Sequence, residues 1–153
     1  MSEATLAEAS GEELEGMRTV RLSFPARAEY VTLARLALTG LAEIVALPPE
    51  LLADLKLALT EAVSNSVRHA YADGAGFVSV AYELSGTRLA IEVVDNGNGF
   101  DPERPPPLEG AELTEGGLGI AIIRTIADDL QIHSQPGVRG SRLRFVKQLR
   151  PAG

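Results

Sequence analysis

Cysteine is absent from this 153-residue chain, so no disulfide framework and no thiolate metal site can form, which fits a reducing compartment. Aromatic residues make up only 5% of the sequence, so a core must be assembled from Leu, Ile, Val and Ala. No apolar run approaches the roughly 20 residues that a membrane span needs. The first twenty residues lack the basic flank and apolar run of a secretory signal. Basic residues are the minority charge, 14 against 21 acidic. The resulting net charge of −7 argues against direct contact with a nucleic-acid backbone, which rewards basic patches. What is present, 45% hydrophobic and 23% charged residues, is ordinary for a soluble globular domain with room for one core. These numbers point to a cytoplasmic domain with no membrane or direct nucleic-acid partner.

Residues 1–16 carry five Glu and no basic residue, and read as a poorly ordered acidic tail before a single domain over 17–150. Val20, Leu22 and Phe24 alternate with Arg21 and Ser23, a strand signal closed by Pro25. Leu33, Leu36, Ala37, Leu41 and Ile44 recur at helical spacing, predicting a helix over Arg27–Leu47 that Pro48 and Pro49 end. A second helix is expected over about Glu50–Ala72, then a turn at Asp73–Gly76. Phe77–Leu84 and Arg88–Val94 read as strands joined across Ser85-Gly86-Thr87. Gly97–Gly116 has no periodicity and includes Pro102 and Pro105-Pro106-Pro107, a composition suited to a functional loop. Leu118–Leu130 reads as a helix, and Leu130–Ser134 and Ser141–Leu149 as strands around a Gln135–Gly140 turn. The expected fold class is an α+β two-layer sandwich with helices on one face of a mixed, mostly antiparallel sheet.

On a wheel of about 100° per residue, Leu52, Leu55, Leu59, Ala62, Val63 and Ala70 form one broad stripe of the second helix. Glu61, Asn65 and His69 follow at i, i+4 and i+8 along one edge of that stripe. They are expected to be half covered, either facing a cleft or simply bounding the core. In the second case Glu61 is solvated or pairs with Arg68.

Two glycine-bearing loops bear on that choice. The strand ending in Val93-Val94 runs into Asp95-Asn96-Gly97-Asn98-Gly99. Glycines at i+2 and i+4 let the backbone turn sharply and approach a ligand, while the carboxylate accepts a hydrogen bond from an exocyclic amine such as adenine's. The alternative is a hairpin turn. That turn wants a returning strand, yet Asp101-Pro102-Glu103-Arg104 and three prolines follow. Thr114-Glu115-Gly116-Gly117-Leu118-Gly119-Ile120 then leads into a helix, whose N-terminus offers unpaired N–H groups and a positive dipole end to a phosphate. The spacing fits neither the P-loop, since Gly-Lys-Ser/Thr is absent, nor a Rossmann βαβ unit.

Taken in order, Glu61-x-x-x-Asn65, Asp95-x-Gly97-x-Gly99 and Gly117-x-Gly119 resemble the N, G1 and G2 boxes of the GHKL ATPases, a superfamily with gyrase, MutL proteins, histidine kinases and bacterial anti-sigma serine kinases. The match spans about Phe24–Leu149. Leu57–Tyr71 is similar to the N box, and Gly117–Ile123 to the G2 box, of stand-alone anti-sigma regulatory kinases. A histidine-kinase catalytic domain is not supported, because His69 and His133 are the only histidines and no helical dimerisation segment presents one. A clamp of the gyrase type would need a transducer domain that this length excludes.

The resemblance implies a Bergerat ATP-binding sandwich in which ATP and Mg²⁺ lie under a mobile lid. By position, Glu61 would be the general base, Asn65 the Mg²⁺ ligand and Asp95 the acceptor for the adenine amine. Gly97 and Gly99 would shape the adenine pocket, and Gly117, Leu118 and Gly119 would meet the phosphates. Ser141 falls where the family has Thr or Ser near the adenine-bound Asp. Arg68, His69 and Arg124 are further candidate nucleotide contacts, each also readable as surface or packing residues; His133 reads as a strand residue. The implied activity is serine/threonine phosphorylation of an anti-anti-sigma antagonist protein, with sequestration of a sigma factor and homodimerisation. The competing implication is a module that holds ATP and a partner without phosphoryl transfer.

Overall fold

The computed structural model describes residues 17–71, 76–99, 101–102 and 117–149. The expected acidic tail and most of the expected lid lie outside the described residues. The elements are β1 (Met17–Pro25), a 3₁₀ turn (Ala28–Tyr30), α1 (Val31–Ile44), α2 (Pro49–Tyr71), β2 (Phe77–Ser85), β3 (Arg88–Asp95), α3 (Gly117–Ile126), β4 (Asp129–His133) and β5 (Ser141–Gln148). The five strands form one sheet in the order β1-β2-β3-β5-β4. All pairings among the described residues are antiparallel.

The alternation of each strand sorts its side chains to two faces. Cross-strand rows Tyr82–Ile91–Phe145 and Leu22–Val80–Val93–Leu143 line the face that the helices cover. The next row, Phe24–Val78–Asp95–Ser141, ends that face in two polar groups, both buried. The opposite face is polar, with Arg142 paired to Glu92 at 2.9 Å and Arg144 to Glu83 at 2.9 Å. Such partly exposed pairs are worth little individually.

Leu38 of α1, Leu55 and Leu59 of α2, and Ile123 of α3 are fully buried against the sheet. Each such side chain contributes about 1.5–3 kcal/mol on burial. Tyr82 is fully buried too, and its hydroxyl donates to the Ala34 carbonyl at 2.6 Å, pinning α1 to β2. Burial pushes its phenol above the ordinary range. This helix layer matters for the site because it fixes α2 across the sheet with one edge turned toward α3.

Three boundaries differ from the sequence reading by more than one residue. The helix read from Arg27 begins at Val31, because Arg27 is extended and the Ala26 N–H bonds to the Gly76 carbonyl at 3.0 Å. It ends at Ile44 rather than Leu47: Ala46 adopts a left-handed φ of 56°, and the Leu47 N–H reaches back to the Ala42 carbonyl at 3.0 Å. Pro49 therefore opens α2, where its missing N–H is no loss, instead of closing α1. The third helix stops at Ile126, not Leu130, because the Asp128 N–H is captured by the Val146 carbonyl at 2.9 Å and the chain pairs as β4 from Asp129.

Candidate functional site

Four consecutive core contacts, Ala58, Leu59, Ala62 and Val63, lock the middle of α2 against the sheet. Glu61 and Asn65 consequently sit on one fixed edge. Glu61 is half-buried, as its position predicts, but Asn65 is only 6% exposed. α3 packs against α2, and its first turn reaches Glu61. The approach is close: a methyl group placed on Gly119 would lie 2.9 Å from Glu61 Oε1 and 3.6 Å from its Cβ. The first turn of α3 thus covers the Glu61 carboxylate, and the free N–H groups of a helix start lie in the same region. Gly117 opens that helix. The Leu118 side chain lies outside the described residues.

Asp95 closes β3 and is only 4% exposed. Its two carboxylate oxygens differ. Oδ1 accepts the Gly97 N–H at 2.8 Å, an Asx turn. Oδ2 is buried with no hydrogen-bond partner. Leaving a buried acceptor unmatched costs about 1–3 kcal/mol, more for a charged one. The hairpin alternative fails, because Asp95 is flanked by Val78 of β2 and Ser141 of β5 rather than by a returning strand after the turn. An exocyclic amine donor fits the unmatched oxygen, so the residues present suit an adenine base.

The glycines of this loop are required by protein backbone. A methyl group on Gly97 would come within 2.5 Å of the His69 carbonyl oxygen and 2.9 Å of the Ala70 nitrogen. Gly99, with φ of 77°, would meet the carbonyls of Gln135 and Val138. The loop is also bonded from the β4–β5 turn: Gly140 N–H to Gly97 O at 2.7 Å and Gly137 N–H to Asn98 O at 2.8 Å. Asn96 is held as well, its Oδ1 accepting the Phe77 N–H at 2.9 Å. The Asp95–Gly99 loop is therefore wedged between the end of α2 and the β4–β5 turn, which fixes where Oδ2 sits.

Ser141 lies opposite Asp95 in the sheet, is 7% exposed, and shares a 2.8 Å Oγ–Oγ hydrogen bond with Ser134. His69 is half-buried beside the Gly97 loop. Burial pushes its imidazole below the ordinary range and the Arg68 cation adds to this, while Asp95 and a hydrogen bond to the Asn65 backbone pull the other way. Arg68 and Arg124 are exposed on α2 and α3, and His133 is exposed on the edge strand β4. Sequence reasoning missed Gly137 and Gly140 as supports of the loop, and Ser134 as the partner of Ser141. Their only signal was two glycines in a short turn, and those glycines have φ of 78° and 92°.

Among the described residues, no group of three or more His, Cys, Asp or Glu side chains is placed to hold a metal ion. A cation that keeps most of its waters and meets one carboxamide oxygen fits this edge better than an all-protein cage. Among the described residues, no helix is long and apolar enough to cross a membrane.

The family described as histidine kinase-like ATPase domain matches residues 24–147. The serine-protein kinase RsbW of Listeria innocua is 36% identical over 138 residues, covering 84% of this chain and 88% of that protein. Its namesake from Bacillus thuringiensis is 32% identical over 143 residues, covering 88% of this chain and 89% of that protein. Among solved structures, the RsbU and RsbW domains of Rv1364c from Mycobacterium tuberculosis superpose with a TM-score of 0.64 at 22% identity, covering 88% of this chain and 34% of that one. The SiaB–SiaC complex from Pseudomonas aeruginosa gives a TM-score of 0.62 at 16% identity, covering 95% of this chain and 98% of that chain. These two likenesses establish the shared fold, and the sequence matches go further: the chain belongs to the histidine kinase-like ATPase family, among the relatives of the RsbW serine-protein kinases.

Proposed function

We propose that this chain is an anti-sigma-factor-type serine/threonine protein kinase that binds Mg-ATP, phosphorylates an anti-anti-sigma antagonist protein and sequesters a sigma factor. The observation that carries the reading is the placement of Glu61 under the first turn of α3, on the same α2 edge as Asn65. Phosphoryl transfer asks a protein mainly for positioning and charge stabilisation. Mg-ATP, when bound, supplies the transferable phosphoryl group and the charge of the metal.

The chain's residues divide the remaining work. Asp95 Oδ2 accepts from the adenine amine, with Ser141 beside it. Gly97 and Gly99 form the wall behind that base. Backbone N–H groups of Gly117, Leu118 and Gly119 meet anionic oxygens at the start of α3. Asn65 offers a carboxamide oxygen to Mg²⁺. Glu61 takes the proton from the attacking hydroxyl of the antagonist. Arg68, His69 and Arg124 enter as further nucleotide contacts, supported only by their places on α2 and α3. Homodimerisation is supported by an outward apolar stripe on α1, where Leu33, Leu36 and Ile44 are 45%, 61% and 67% exposed. We take residues 17–150 as one domain, working in the cytoplasm.

Intact mass spectrometry of a candidate antagonist, after incubation with the protein and Mg-ATP, tests the proposal. A gain of about one phosphate (~80 Da) on the antagonist, dependent on Mg²⁺, is the expected result. An antagonist that binds in the presence of ATP and never gains phosphate would replace the kinase with an ATP-holding module.

A further inference from the structure

A groove of about 430 Å³ runs between α1 and α2, on the flank of α2 away from α3, and is lined by Arg35, Leu52, Ala53, Lys56, Leu57 and Thr60. Apolar side chains, Leu52, Ala53 and Leu57, share its lining with polar ones, and Leu57 is 46% exposed. Its two charges are both positive, on a chain of net charge −7. Neither Arg35 nor Lys56 forms an ion pair among the described residues, although carboxylates outnumber cations in the chain. The intramolecular packing therefore leaves a partly apolar trough with two cations outside any ion pair among the described residues. It runs about 16 Å along α2, from Pro49 to Thr60.

The trough and the candidate site lie on neighbouring flanks of α2, with Leu57 between them. Leu57 precedes Glu61 by four residues, one helical turn along the same side of α2. A segment seated over Leu57 therefore brings the surface next to it over Glu61, where a substrate hydroxyl has to arrive. We propose that this groove docks the substrate protein, taking an acidic segment with apolar side chains that fill the trough between Arg35 and Lys56. The inference rests on the kinase reading for the identity of the partner as substrate, and on the groove alone for the partner's chemistry. An amphipathic helix laid into a groove is one physical form of such docking.

The test reverses both charges, Arg35→Glu with Lys56→Glu, and separately truncates Leu57→Ala; all three side chains are at least partly exposed, so the fold should survive. With the antagonist that the wild-type protein phosphorylates, the charge reversal should raise KM about tenfold or more, leaving kcat and ATP affinity within about twofold. Raising salt should raise the wild-type KM and lower the variant's, because it screens attraction in the one and repulsion in the other. A second probe does not depend on kinase activity: a fluorescein-labelled 18-residue helical peptide with Leu at every third or fourth position and Glu between, set against its Lys-for-Glu twin. The acidic peptide should bind the wild-type protein, and lose that binding with either variant; the Lys twin should not bind. An unchanged antagonist KM in the charge-reversed protein overturns the proposal, as does equal binding of the two peptides. A loss of dimer mass with unchanged KM would also overturn it, giving the groove to a second copy of this chain. If no antagonist is phosphorylated by the wild type, the kinase reading fails and the peptide comparison still decides the groove.

Discussion

Gly119 and Glu61 are in contact across two helices: the space that an alanine methyl would occupy at 119 lies 2.9 Å from Glu61 Oε1. The glycine does more than open α3, because it leaves room for the carboxylate of a neighbouring helix. Gly119→Ala should therefore displace the Glu61 carboxylate while keeping the fold, since the contacted atom is the movable end of a side chain. Alanine is also the better helix former by about 1 kcal/mol, which offsets the local strain. The expected outcome is a kcat reduced on the order of 10–100-fold, the scale of an ångström-sized misplacement, with a melting temperature within a few degrees of wild type. Wild-type kcat in the variant would separate Gly119 from the chemistry.

Asp95→Asn should retain the turn, because an amide oxygen can still accept the Gly97 N–H. It would set an NH₂ where the unmatched Oδ2 now lies. Two donors then face each other when an adenine amine arrives. A lost hydrogen bond to a charged group is worth roughly 1.5–3 kcal/mol, so ATP affinity should fall about tenfold or more. Titration calorimetry with ATP reads this directly. Unaltered affinity in a folded variant would reduce Asp95 to a turn former.

Asn65→Ala should remove the magnesium dependence of nucleotide binding. Asn65 is buried on the edge that faces α3, and no group of three acidic or imidazole side chains among the described residues offers a replacement. Calorimetry in magnesium and in EDTA should give a large difference for wild type and none for the variant. A variant that keeps the difference holds its metal elsewhere.

Ala46→Gly concerns stability alone. Ala46 carries the left-handed conformation, φ of 56°, that ends α1, and alanine resists it. Glycine at this position should raise stability by about 1 kcal/mol, the usual cost of a left-handed alanine less the entropy that glycine loses. Chemical denaturation would show a higher midpoint with an unchanged slope. A lower midpoint would mean that the chain tolerates the strain for a reason outside this turn.

Periodicity made much of this legible. The apolar repeat of α2 placed Glu61 and Asn65 on one edge, and the alternation of β2 and β3 put their hydrophobic rows on the helix side. What failed to show in the sequence was set by contacts between distant segments. Nothing local marks Ala46 as left-handed, since glycine is the ordinary signal. Asp128 looks like a helix residue until the Val146 carbonyl takes its N–H. Gly97 reads as a ligand-facing glycine, yet the atoms that exclude a side chain there belong to His69 and Ala70, 28 and 27 residues earlier. The contact that covers Glu61 comes from Gly119, 58 residues further on, which no local pattern around Glu61 announces.

Glu61→Gln decides the enzymatic role. The amide keeps the volume and the contact with Gly119 but cannot accept a proton, so it isolates the chemical step from packing. If Glu61 takes the proton from the substrate hydroxyl, phosphoryl transfer should fall by about 10²–10⁴-fold. ATP affinity should move little, because the proposed adenine and metal contacts lie on Asp95 and Asn65. Binding of the antagonist should persist, since the α1–α2 groove occupies a different flank of α2. Such a variant would hold its partner without modifying it. Single-turnover phosphorylation, followed by intact mass of the antagonist, measures the step without interference from product release. An undiminished rate would leave a kinase whose hydroxyl loses its proton late or directly to phosphate oxygen, and Glu61 would then serve only to position the start of α3.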